Sequence, residues 1–361
     1  MKEHKKILLL GDVNSIHLQK WMIALKEYFE VGVFSIDALN PKYDWLNDVP
    51  NVHLFTPETS SSNSRFIFGY LKHMSRLKKV IHSFKPDITH AHYATSYGLL
   101  GTLVKPRNYC ISLWGTDTYL FPKKSFLHRQ IFKLILSAAK QIFATSKDLA
   151  KAGKLYTPNK ITVIPFGVDT EKFSPNKVQL DTFTFGTVKG LDLIYGIDRF
   201  IDAFAIFNRS YPNSQCLIYG KGPHEMQFIE QINRLSLSDK VKLMGFIEHD
   251  KVPSTLNTFD VYCALSRSES FGVAIIEASA CEIPVIVSNI GGLTEVVEHE
   301  KTGFIVKGDD LSEIVQRMEI LYHNADLRKK FGESGRLLVQ NDFEWKQNVA
   351  SQVTFYNKML N

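Results

Sequence analysis

The sequence predicts an α/β protein built from two Rossmann-like, doubly wound domains that face each other. Three observations carry this reading. Short apolar runs alternate with longer segments of helical period, as in parallel sheets covered on both faces. The alternation stops at the polar, proline-ended segment 167–175 and then begins again. The chain has 361 residues, 44% of them hydrophobic, which is generous for one domain and natural for two.

In the first half, strands are expected at 7–10, 31–36, 88–90, 109–113, 141–144 and 161–164, and helices at 16–29, 66–84, 93–104, 125–139 and 146–154. Residues Ile16, Trp21, Ala24, Leu25 and Tyr28 carry the helical spacing of the first of these, and Lys85-Pro86-Asp87 separates a helix from the strand that follows. In the second half, strands at 183–188, 215–219, 241–244, 260–264 and 284–287 alternate with helices at 197–210, 223–235, 251–257, 272–280, 292–298 and 309–333. A last helix fills 343–360. The expected domains are 1–170 and 171–343, with 344–361 as a terminal helix.

Composition excludes several classes. The first apolar run covers only 7–10 before Gly11-Asp12, so it reads as a buried strand and not as an export signal, and the cytoplasm is the expected compartment. No apolar run approaches the roughly 18–20 residues of a membrane span. Cys110, Cys216, Cys263 and Cys281 lie in apolar stretches without metal-ligand spacing and read as buried free thiols. Residues 1–180 hold 25 Lys/Arg against 13 Asp/Glu, and residues 181–361 hold 18 against 24. This asymmetry fits two bodies with different partners, or drift in surface composition.

The stretch 266–306 carries most of the chemistry. A strand ends in Ser266-Arg267-Ser268-Glu269, a turn follows at Ser270-Phe271-Gly272, and a helix starts there. Gly272 lets backbone approach a ligand, and the helix start offers free N–H groups and a positive dipole end to an anion. Glu277 lies deep in an otherwise apolar helix. A carboxylate there can accept two hydrogen bonds from a vicinal diol such as ribose, or it can occupy the helix's one polar stripe.

The spacing Glu269-x7-Glu277, the run Ala278-Ser-Ala-Cys-Glu-Ile-Pro284-Val285 and the pair Gly291-Gly292 with Glu295 resemble the donor-site signature of family 4 glycosyltransferases. Pro86-Asp-Ile-Thr-His-Ala-His92, Val163-Ile-Pro-Phe-Gly-Val-Asp-Thr-Glu-Lys-Phe173 and Gly220-Lys-Gly-Pro223 resemble further motifs of that family, in its order and across nearly the whole chain. The resemblance implies the GT-B architecture of two facing domains, with the terminal helix crossing back to the first, acceptor-side domain. It implies a retaining hexosyltransferase of cell-surface polysaccharide synthesis, using a UDP- or GDP-linked sugar and a glycan or lipid-linked hydroxyl.

By that resemblance Glu277 holds the ribose and Glu269 the donor sugar. Backbone at Phe271, Gly272 and Val273 meets sugar and diphosphate, Gly245 and Phe246 lie near the base, and Lys189 meets the diphosphate. No metal or cofactor is implied, because the helix terminus and basic side chains neutralise the diphosphate. Two positions depart from the pattern. A second diphosphate lysine is missing, with Ile194 and Tyr195 in its place, which leaves Lys221 or Arg267 as substitutes. Trp114 stands where many relatives have histidine, which leaves His92 and Asp117 as polar candidates near the reacting centre. The loop bearing Gly11, Asn14 and His17 is implied to approach phosphate or acceptor; it lacks the full dinucleotide fingerprint. Two other readings stay open: an epimerase on the same architecture, and a catalytically impaired nucleotide-sugar-binding partner.

Basic and apolar residues interleave at 65–85 and 121–140. Such stretches suit peripheral contact with an anionic membrane surface at the inner face of the plasma membrane, or an ordinary helix with a solvated basic face. No nucleic-acid motif accompanies the charge.

Overall fold

A computed structural model describes residues 5–59, 73–178 and 180–361. It divides into two compact units: Met1–Pro165 with Gln347–Asn361, and Phe166–Lys346.

In unit 1 the described strands are β1 (Lys6–Leu10), β2 (Glu30–Phe34), β3 (Val52–Phe55), β4 (Ile88–His92), β5 (Tyr109–Leu113), β6 (Gln141–Ala144) and β7 (Ile161–Val163). Their order is β3-β2-β1-β4-β5-β6-β7 and every pairing is parallel. Unit 2 repeats the plan with β8 (Phe183–Val188), β9 (Ser214–Tyr219), β10 (Val241–Gly245), β11 (Val261–Ala264), β12 (Val285–Ser288) and β13 (Gly303–Val306). The order there is β10-β9-β8-β11-β12-β13, again all parallel. The sheets are doubly wound, and the strand order reverses between β1 and β4 and between β8 and β11. Ligands of such sheets bind beyond the strand C-termini at these reversals.

Burial on both faces explains the continuous apolar strands. Ile7, Leu8, Leu9 and Leu10 are all fully buried, as are Val285, Ile286 and Val287. An aromatic core of Phe185, Phe200, Phe204 and Phe207 fills unit 2. The four cysteines are free and buried. The polar segment 167–175 packs into unit 2: Val168 donates to Phe343 O at 2.9 Å and Phe173 is buried. Helix Trp345–Leu360 packs into unit 1, where the Tyr356 hydroxyl meets His90 Nδ1 at 2.5 Å.

Several expected elements differ. Strands β3 and β13, four residues each at sheet edges, are additional to those expected; His53 and Gly303 shorten their apolar runs. The helix expected at 309–333 is two, Leu311–His323 and Ala325–Asp342, because Asn324 caps the second through its Oδ1 to Leu327 N at 2.8 Å. The helix expected at 292–298 is a 3₁₀ turn, Gly291–Glu295. Of the helix expected at 66–84, the described helix is Met74–Phe84; residues 65–72, which also begin the 65–85 basic stretch, lie outside the described residues.

Candidate active site

In unit 2, the loops after β8 and β11 leave the sheet on either side of the strand reversal, and each brings a charge. Lys189 follows β8 directly and Glu269 follows β11 by five residues. Their side chains meet at 2.5 Å with only 10% and 15% of their surface exposed. Burial opposes the lysine's charge, but the Glu269 carboxylate outweighs it and raises the ammonium's pKa. The Tyr195 ring lies 5.2 Å from the same ammonium. The Tyr262 hydroxyl, fully buried on β11, donates to Val188 O at 3.2 Å and so ties the two strand ends together.

Beyond Glu269 the chain turns into helix Val273–Ala280 through Gly272, whose φ of +102° is left-handed and suits glycine. The turn is braced by the glycine pair expected from sequence. Gly292 N donates to Glu269 O at 3.1 Å, and a Cβ at Gly292 would lie 2.3 Å from Ser270 O. The N–H groups of Gly272 and Val273 open the helix and have no intrahelical acceptor by its geometry, so the turn presents donors beside Lys189 and Glu269. Phe271 is not open to a ligand through its side chain. Its ring is buried against Phe166 and Phe343, so only its backbone can serve.

Glu277 is 8% exposed, inside a helix whose other residues are apolar or small. It is not a surface charge: its Oε1 meets His249 Nε2 at 3.1 Å. His249, whose ring packs 5.6 Å from Phe173, was not foreseen. It lies four residues beyond Gly245, on the segment that leaves β10, and no local sequence signal marks it. Gly245 turns that segment with φ +76°, and Phe246 stands 53% exposed there.

The two substitute cations fare differently. Lys221 is exposed on the loop after β9, whose backbone pairs with the Lys189 loop through Leu191 N to Lys221 O at 3.1 Å. Arg267 is already committed. Its guanidinium grips Asp198 with two hydrogen bonds of 2.7 and 2.6 Å and donates to Leu193 O at 2.5 Å. A bidentate, charge-assisted pair of this kind leaves little guanidinium for a diphosphate, so Arg267 is corrected to a brace of the 193–198 turn.

In unit 1, the ends of β1, β4 and β5 bring His17, His92 and Trp114 together. The Trp114 ring lies 6.1 Å from His17 and 5.2 Å from His92, and His92 lies 4.3 Å from His90. His90 is bonded on both nitrogens, to Tyr356 and to Ser112 Oγ at 2.8 Å. His92 is 3% exposed and neither of its nitrogens has a hydrogen-bond partner among the described residues. Burial drives its pKa down to about 3, so the ring is neutral at pH 7.

Two unit 1 expectations change. Asp117 is fully buried, and its oxygens accept from the backbone N–H of Ala94, Gly115 and Trp114 at 2.9–3.3 Å. Burial raises its pKa and those donors partly offset the rise. It holds the Trp114 loop and has no oxygen to spare for a reactant. Asn14 spends both ends of its amide, on Ala38 O at 2.9 Å and Asn40 N at 2.8 Å, and so braces its loop. Gly11 donates to Phe34 O at 3.1 Å and packs under Leu18.

Two parallel doubly wound units are the architecture of the GT-B glycosyltransferases, and the family comparison gives the class. The glycosyl transferases group 1 model matches residues 168–338 and the glycosyl transferase 4-like model matches residues 6–146; the chain belongs to this family. The chain is 28% identical to the capsular polysaccharide biosynthesis glycosyltransferase CapM of Staphylococcus aureus, over 100% of this chain and 98% of that one. It is 26% identical to the UDP-Gal:alpha-D-GlcNAc-diphosphoundecaprenol alpha-1,3-galactosyltransferase of Escherichia coli, over 86% of this chain and 84% of that one. Among solved structures, the sucrose-phosphate synthase of Thermosynechococcus elongatus superposes with a TM-score of 0.86 at 20% identity, over 98% and 99% of the two chains. HepE of Anabaena in complex with UDP superposes with a TM-score of 0.80 at 19% identity, over 98% and 100%.

Proposed function

We propose that this glycosyltransferase takes a hexose from a nucleotide diphosphate sugar and passes it, with retention of configuration, to a hydroxyl of a glycan or lipid-linked acceptor in cell-surface polysaccharide synthesis. The observation that carries the proposal is the Lys189–Glu269 pair beside the start of helix Val273–Ala280. In the resting protein the two charges satisfy each other. A bound donor would re-partner them, the ammonium to the diphosphate and the carboxylate to sugar hydroxyls. Glu277 would exchange His249 for the ribose diol. The names of the Escherichia coli and Anabaena proteins favour UDP over GDP, and the former favours a lipid-linked acceptor.

In the reaction the bond from the sugar's anomeric carbon to the diphosphate oxygen breaks, and the electron pair leaves with the diphosphate. The acceptor oxygen bonds to that carbon from the same face and gives its proton to the departing phosphate. Lys189 and the helix N–H groups stabilise the charge that develops on the leaving group; donors of this kind are worth about 10²–10³-fold in rate. No protein base is needed, which suits the neutral, enclosed His92.

One observation favours a second reading. Ile194 and Tyr195 stand where a second cation would serve the leaving group, and Arg267 is bound elsewhere, so the protein could bind donor and transfer slowly.

Calorimetry with UDP-, GDP- and ADP-sugars tests the donor site. One nucleotide class should bind, and Glu277→Ala should weaken it about 10- to 100-fold, the worth of a charged hydrogen bond. A folded protein that binds none of the panel would remove the proposal. If donor binds and nothing is transferred until Ile194→Lys is introduced, the impaired reading is right.

A further inference from the structure

Unit 1 carries a surface that the donor chemistry does not use. Residues 120–160 hold nine Lys/Arg against one acid, Asp148, which already accepts from the Tyr119 hydroxyl at 2.5 Å. The same segment exposes large apolar side chains: Phe126 is 76% exposed, Leu155 75% and Leu127 64%, with Leu134 and Leu120 also more than half exposed. Helix Phe126–Ala138 buries Phe132, Ile135 and Leu136 against the core. Its apolar stripe is therefore already satisfied, and Phe126, Leu127 and Leu134 lie on the opposite face, flanked by exposed Arg129 and Lys133. Between this helix and the end of helix Lys147–Lys154 lies a depression of about 670 Å³, lined by Gln130, Lys133, Leu134, Ser137, Lys154 and Leu155.

We infer that this face docks the protein on an anionic lipid bilayer. The apolar side chains would enter the headgroup layer while the lysines and Arg129 meet lipid phosphate, and the depression between Lys133 and Lys154 has room for one headgroup. Charge selects this occupant over the others. A second copy of the chain, packed isologously, would set the basic face against itself and be repelled. A nucleic acid would satisfy the cations but would leave Phe126, Leu127, Leu134 and Leu155 against phosphate with no apolar partner. An anionic bilayer meets both needs.

This inference stands on unit 1 alone and does not depend on the donor reading. Flotation of the full chain with vesicles of phosphatidylglycerol and phosphatidylcholine, against pure phosphatidylcholine, tests it. The anionic vesicles should be preferred by well over tenfold at low salt, at about fivefold for each basic residue brought to the surface. Both F126S/L127S and R129E/K133E should reduce partition by at least about tenfold. All four side chains are solvent-facing, so circular dichroism should show unchanged folding, and sugar transfer to a soluble acceptor should be unchanged. M226S/L337S, which removes two exposed apolar residues of unit 2, should partition as the wild type. Equal binding to both vesicle types, or patch variants that float like the wild type, would overturn the inference. So would an oligomer, seen by light scattering, that F126S/L127S dissolves without vesicles present, or binding to a nucleic acid in the absence of any vesicle binding.

Discussion

The strand ends of the two units carry polar groups managed in opposite ways. In unit 2 Lys189 and Glu269 form a paired charge and His249 lies alongside Glu277, in surroundings that keep these groups mostly from water. In unit 1 the corresponding edge holds imidazoles driven neutral by burial, with His92 packed against Trp114, and a carboxylate absorbed by backbone donors. A paired charge can change partners when a ligand arrives, because its desolvation has already been met by the protein. A neutral ring such as that of His92, without a hydrogen-bond partner among the described residues, offers shape and little charge. The comparison places strong electrostatics in unit 2 and neutral packing in unit 1.

The largest expected effect breaks the unit 2 side. Replacing Lys189 with Met keeps the bulk and removes the charge, and kcat/KM for sugar transfer should fall about 10²–10³-fold. The same change strands Glu269 and should cost on the order of 3–5 kcal/mol of stability, less whatever the 15% exposure of Glu269 relieves. In the double variant Lys189→Met/Glu269→Gln, stability measured by urea unfolding should return while transfer stays lost. Recovery of both together would mean that the pair is structural only.

A second effect sharpens the unit 1 side. His92 has a folded pKa of about 3 against 6.5 unfolded, and that of His90 is lowered as well, by burial first and by His92 second. The unfolded chain therefore binds more protons than the folded one below pH 6.5. The His92 contribution is full above that pH and is lost as pH drops toward 3, with a slope of about 1.4 kcal/mol per pH unit, and His90 adds to the fall in the same direction. Thermal melts of His92→Phe across pH 4–7 should show a shallower fall than the wild type. An unchanged slope would assign the acid sensitivity elsewhere.

The smallest effect separates Arg267 from the chemistry. Because Arg267 and Asp198 are 36% and 21% exposed, breaking their pair should cost only about 1 kcal/mol, read as a modest drop in Tm. Arg267→Gln should otherwise leave the dissociation constant for the donor nucleotide unchanged. A tenfold weakening of donor binding would return Arg267 to the diphosphate.

Much of this was legible in the chain. The strand–helix alternation located β5, β6 and β8 to the residue, since each is a mostly apolar or β-branched run ended by a turn signal. It passed over β3 and β13, whose apolar runs are shortened by His53 and Gly303. The spacing of Glu269, Gly272, Glu277 and Gly292 announced a site because glycine and buried acid are costly unless used. His249 could not be found in this way, since nothing in its local sequence tells that it will meet Glu277, 28 residues on.

The sequence by itself determined the two parallel α/β halves, the loops that carry polar residues and the helix start able to receive an anion. These depend on period, turn chemistry and glycine placement, all of which act over a few residues. Tertiary structure alone decided which groups remain available. It bound Arg267 to Asp198, absorbed Asp117 in backbone bonds, left Lys189 beside Glu269 across the strand reversal, and turned Phe126 and Leu127 outward. The reason is that a side chain's protonation and freedom depend on desolvation and on partners far away in sequence, which exist only once the sheet is assembled.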